Sequence, residues 1–150
     1  MSTDTDISAI VAAERDIQVP RVDHLFAWQV AEALFDVSPA PLVLRVASPT
    51  QCVLHVAQPG TNRFNEEAVI RKIDTVFALN HSTLWWNTIL AERGMSSRDH
   101  PLVDDARYTD IEGGVPLYAG ENLIGAAAVS GLAPRDDHDV LIAALRRALT

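Results

Sequence analysis

The chain has a single cysteine, Cys52, in 150 residues. This excludes an internal disulfide and any zinc or iron–sulfur site built from several cysteines. Basic residues are scarce as well: 12 Lys and Arg face 20 Asp and Glu, a formal net charge of -8. No long Lys/Arg run offsets that balance, so neither nucleic acid nor an anionic membrane surface is an expected partner. No apolar run approaches the ~20 residues that cross a bilayer. The opening, MSTDTDIS, carries no basic stretch followed by an apolar one. No secretory signal is expected there, and the expected location is cytoplasmic. Internal repeats, low-complexity tracts and interdomain linkers are also missing, so the reading is one domain over residues 1–150, with 1–6 a loose tail.

What is present is globular, at 48% hydrophobic and 21% charged residues. A chain of this length can bury roughly 68–70% of its extended surface without a staple. Ile7, Ile10, Val11 and Glu14 fall at helical spacing, so a short helix is predicted over Ile7 to Arg15. Asp23 then caps a helix through Phe35, with Leu25, Trp28, Val30, Ala31, Leu34 and Phe35 as its apolar stripe. Ser38-Pro39-Ala40-Pro41 stops it. Two period-two runs, Leu42 to Val46 and Cys52 to Val56, read as a hairpin.

Asn65 offers the next N-cap, with Glu66 and Glu67 in the first turn. Val69, Ile73, Val76, Phe77, Asn80 and Leu84 follow one face, while Arg71, Lys72 and Asp74 are placed off it. The helix continues or restarts near Ser82 and stops at Gly94. A polar connection from Met95 to Glu112 follows, with a turn of helix near Leu102 to Ala106. Val115 to Tyr118 and Leu123 to Val129 form a second hairpin, and Asp136 or Asp137 caps a last helix from His138 to Leu149. The expected class is α+β: one antiparallel sheet of about four to five strands packed with helices.

The end of the chain reads as a Gly pair (Gly113, Gly114), Pro116, Gly120, Gly125, Ser130-Gly131, then Asp137-His138 at a helix start. Upstream, Pro59-Gly60-Thr61, Asn65, Arg71-Lys72 and His81-Ser82-Thr83 follow in order. This ordered set, spread over Val19 to Leu149, resembles the GlcG-like, haem-degrading-domain (HbpS-like) superfamily, in its branch of small cytoplasmic proteins. The resemblance implies a profilin-like sheet and a homo-oligomer, and makes haem a possible ligand. Three positions depart from that branch: Phe64 replaces an Asp, Ala68 a Trp, and Glu112 a His. If those side chains touch a ligand, a different ligand or none is implied.

Weighed singly, the candidates keep two readings. Gly113, Gly114 and Gly131 suit tight turns, or backbone nests that approach an anion. Arg71 and Lys72 suit a solvated helix flank, or the carboxylates of a ligand such as a haem propionate. None of the five histidines (His24, His55, His81, His100, His138) shows the four-residue spacing of a helical zinc motif, and no metal site is expected. The resemblance keeps His81 and His138 as an axial nitrogen, a hydrogen-bonding group or a proton carrier. Trp85 and Trp86 point about 100° apart, one for the core and one for an interface. Ser130 lacks the hydrolase elbow frame, and Cys52 reads as a buried sheet residue.

The reading that follows is an oligomeric binding module for a small anionic or tetrapyrrole ligand. Its candidate residues are Arg71, Lys72, His81, Ser82, Gly113, Gly114 and His138. Two alternatives stand beside it: a scaffold or protein-interaction module without a small ligand, and a haem-degrading enzyme, for which no catalytic residue is nominated. A cleft shared by Arg71 and His81 is the feature that favours binding.

Overall fold

The computed structural model describes residues 6–101, 103, 104 and 106–150. The expected tail, apart from Asp6, and part of the expected turn at 102–106 lie outside the described residues. Helix α1 is Ile7–Asp16 and α2 is His24–Val37. The Asp23 carboxylate caps α2 by accepting the Phe26 N–H at 2.9 Å, as its position predicts. Strands β1 (Val43–Ala47) and β2 (Cys52–Ala57) form the first hairpin, and β3 (Gly114–Ala119) and β4 (Asn122–Ser130) the second. Pairing of β1 with β4 joins them into one four-stranded antiparallel sheet of order β2-β1-β4-β3.

Helix α3 is Arg63–Leu79, α4 is Thr83–Glu92 and α5 is Pro134–Ala148. The class expected from sequence is what forms, four strands with five α-helices among the described residues. The helices cover both faces of the sheet. On one side α2 and α5 pack on Leu44, Val46, Leu117, Ala127 and Val129. On the other, α3 sets Val69, Ile73 and Val76 against Val43, Ala126 and Ala128. The alternating register of β4 therefore feeds two cores. Its alanines, with Gly114, let α3 come close: a Cβ on Gly114 would stand 3.0 Å from the Lys72 Cβ.

Several local expectations need correction. The N-cap of α3 is Asn62, and Asn65 is its reciprocal partner three residues on, so Glu66 falls in the first turn and Glu67 beyond it. Of the two options near Ser82 the restart forms: Asn80 in left-handed conformation (φ 59°) ends α3, and Ser82 caps a separate α4. Helix α5 begins at Pro134 with Ala133 as N-cap, because proline suits the first helical position; neither Asp136 nor Asp137 caps it. Gly114 is extended within β3, whereas Gly113 has φ 124°. Cys52, at the mouth of the outermost strand, is exposed. In the polar connection a 3-10 turn forms at Ser97–Asp99.

Lys72 is the largest departure. It was placed off the apolar stripe, yet it is 2% exposed. Its position, three after Val69 and four before Val76, lies on the buried face; its charge, not its spacing, argued otherwise.

Candidate functional site

Lys72 is the only lysine of the chain. Its Nζ donates to the Val129 carbonyl at 2.8 Å and to Asp137 Oδ2 at 3.3 Å. Asp137 Oδ1 accepts the Leu132 N–H at 2.8 Å, so the carboxylate is held from both sides. Burial lowers the Lys72 pKa and raises that of Asp137, and each charge opposes the shift of the other. Gly113 makes room for this bridge: a Cβ there would lie 2.7 Å from the ammonium and 2.7 Å from the Val129 oxygen. Gly114 donates its N–H to Thr83 Oγ1 at 3.0 Å. The Gly pair thus gives close backbone approach between β3 and its covering helices.

Arg71 turns away from the bridge, as adjacent helical residues must. Its Nη2 donates to the Tyr108 carbonyl at 2.8 Å. A cleft of about 60 Å³ opens there between α3 and the connection, lined by Phe64, Glu67, Ala68, Arg71, Thr109 and Ile111, with Lys72 also in its wall. Phe64 stands out at 76% exposed. Two of the three departing positions, Phe64 and Ala68, line this cleft, and the Glu112 charge acts on Lys72.

The remaining candidates gather around a carboxylate that sequence reading passed over. Glu14 of α1 is 3% exposed. Its Oε1 accepts the Ser82 N–H at 2.8 Å, and its Oε2 pairs with His81 Nδ1 at 2.8 Å. The Ser82 hydroxyl accepts the Trp85 N–H to cap α4. The His81 ring stacks on Trp85 at 4.1 Å. Trp86 turns into the core and Trp85 is half-buried.

Glu14 also lines a cleft of about 130 Å³ between α1, α4 and α5, with Ile10, Leu84, Arg135, His138 and Ile142. His138 is 7% exposed and its Nδ1 has no hydrogen-bond partner among the described residues. Desolvation first, and then the Arg135 charge, lowers its pKa from 6.5 to about 4. The ring is therefore neutral at physiological pH and offers one donor and one acceptor.

The seven candidates accordingly fall into two groups. Arg71, Lys72, Gly113 and Gly114 surround the buried bridge and the cleft beside it; His81, Ser82 and His138 surround Glu14. Arg71 and His81 do not share a cleft. Glu14 and Arg135 were missed as candidates, although a carboxylate on the apolar stripe of α1 was a usable signal. Among the described residues no three His, Cys, Asp or Glu side chains gather to hold a metal, and no helix is long and apolar enough to cross a membrane.

A four-stranded antiparallel sheet clad by helices on both faces, with clefts between the helices, defines an α+β class of fold, on which function depends on the site. Residues 23–146 match the family of haem degrading proteins described as HbpS-like, and the chain belongs to that family. A UPF0303 protein of Rhizobium etli is 30% identical over 149 residues, 97% of this chain and 90% of its own. A UPF0303 protein of Zymomonas mobilis is 27% identical, over 97% of this chain and 80% of its own. Among solved structures, Ybr137w superposes with TM-score 0.83 at 16% identity, over 94% of this chain and 86% of its own. PduOC, solved as a haem complex, gives TM-score 0.73 at 17% identity, over 84% and 94%. HbpS gives 0.69 at 18%, over 87% and 92%. At these identities the structures establish the shared fold.

The haem that the family name implies can be tested against the residues present. A neutral His138 with an unpartnered nitrogen suits an iron ligand in its protonation state. The cleft around it, about 130 Å³, has room for a molecule of about one small ring and not for a four-pyrrole macrocycle. A haem enclosed by one copy of this chain does not fit there.

Proposed function

We propose that this protein is a non-catalytic binding module, working as a homo-oligomer, for a small ligand with one anionic group and an apolar body. The site is the cleft of Glu14, Arg135 and His138. The observation that carries this reading is His138: nine-tenths buried, neutral, and without a partner for Nδ1 among the described residues, in the lining of a cleft that pairs apolar walls with Glu14 and Arg135. A buried polar atom left unpaired costs about 1–3 kcal/mol, and a ligand that hydrogen-bonds the ring recovers it. Arg135, half-buried in the lining of the same cleft and bonded through Nε to Asp139 at 3.1 Å, is the cation this reading assigns to the anionic group. Both Glu14 oxygens are already engaged by Ser82 and His81, so Glu14 shapes the wall instead of meeting the ligand. Ile10, Leu84 and Ile142 accept the apolar body.

The test is calorimetric titration with isobutyrate and benzoate, with haemin followed at the Soret band in parallel. Saturable carboxylate binding, weakened about 10–100-fold in Arg135→Ala for a lost charge-assisted hydrogen bond and lost in His138→Leu, supports the small-ligand reading. A stoichiometric haemin shift that His138→Ala abolishes would replace it with a tetrapyrrole site completed from outside one chain. No response to either ligand would remove the binding reading and leave the assembly role.

A further inference from the structure

A second cavity, of about 300 Å³, lies on the far side of α4 from the Glu14 cleft and shares no lining residue with it. Helix α3 supplies Thr75, Ala78 and Leu79, α4 supplies Trp86, and the connection supplies His100, Val103 and Tyr108. Its volume lies at the lower end of ordinary ligand pockets, and its apolar walls with a few polar groups match their usual make-up. No Asp, Glu, Lys or Arg is among the described lining residues, so these residues offer a ligand no charge partner, and burying a charge against them would be costly. Aromatic rings are prominent in it: Trp86 and His100 meet edge to face at 5.5 Å and 61°, and Tyr108 belongs to the same lining.

The wall formed by the connection is pinned in place. The Ser97 N–H donates to Asp110 Oδ2 at 3.0 Å, closing the loop on itself. The Thr109 N–H donates to Thr75 Oγ1 at 2.9 Å, and Arg71 holds the Tyr108 carbonyl. Compact loops closed in this way often carry function, and a preformed wall lowers the ordering cost of binding. We infer that this cavity is a binding site for a small, neutral, planar aromatic molecule of one or two rings, held by offset and edge contacts with Trp86, Tyr108 and His100.

The probe is indole, with benzoate as the charged comparison, added to the full chain while the Trp86 indole N–H resonance is followed by NMR. The expected result is a saturable shift with indole and none with benzoate. Ala78→Phe fills the cavity from an exposed helix position, which leaves the core undisturbed, and should weaken indole binding at least tenfold. Absence of a saturable indole response overturns the inference, as does a response that Ala78→Phe leaves unchanged. Equal binding of benzoate at this resonance overturns the neutral class. Because the two clefts share no residue, the outcome is independent of the Glu14 site.

Discussion

His138 carries a pH dependence whose sign follows from its burial. Its pKa falls from 6.5 in the unfolded chain to about 4 in the fold, so the unfolded state takes up the proton first as acid is added. Stability is unaffected above pH 6.5 and is lost progressively as pH falls from 6.5 to about 4. The full loss is on the order of 3 kcal/mol. Urea midpoints at pH 7 and pH 4.5 should therefore separate more in the natural chain than in His138→Leu. Equal separations would show that the folded His138 protonates as readily as the unfolded one. At this scale the sequence reading was half successful. His138 was nominated through its matched segment, but Glu14 and Arg135 emerged only when α1 and α5 met across the cleft.

Lys72 and Asp137 tie two elements together: α3 on one face of the sheet reaches past Val129 to the first turn of α5. Both charges are buried, so removing one leaves the other uncompensated. Lys72→Met should destabilise the fold by about 3–5 kcal/mol, and a Lys72→Met/Asp137→Leu double variant should recover much of that loss. Urea unfolding of the singles and the double measures the coupling. A Lys72→Met cost below ~1 kcal/mol would mean the bridge does not hold α3 to α5. Most elements were legible in advance, since Asp23, the alternating hairpin runs and the Gly120 turn use only local chemistry. The starts of α3 and α5 were misjudged by a few residues. Asn62 and Asn65 are chemically equal candidates three apart, and Pro134 starts a helix without any side-chain cap.

Over the whole molecule, the apolar surface is unevenly finished. On α2, Leu25 and Trp28 are 52% and 51% exposed, one helical turn apart. At the sheet edges, β3 is covered by the Val19 N–H donating to the Tyr118 carbonyl at 2.8 Å, while β2 is the outermost strand on the other side. These features support the proposed homo-oligomer, and light scattering on the eluting protein tests it. A multiple of the 16.4 kDa chain mass that Trp28→Glu reduces would place α2 in the interface. A monomer at micromolar concentration would remove the oligomer from the proposal. By itself the sequence determined the α+β class, the two hairpins and most helices, because each rests on periodicity and turn residues read over short windows, and the family through the resemblance of an ordered motif set along the chain. Only the tertiary structure decided that Lys72 is buried, that Glu14 joins His81 to Ser82, and that Arg71 lines a cleft to which His81 does not belong. Those outcomes depend on contacts between residues 37 to 68 positions apart, and no local spacing encodes which distant group a side chain will meet.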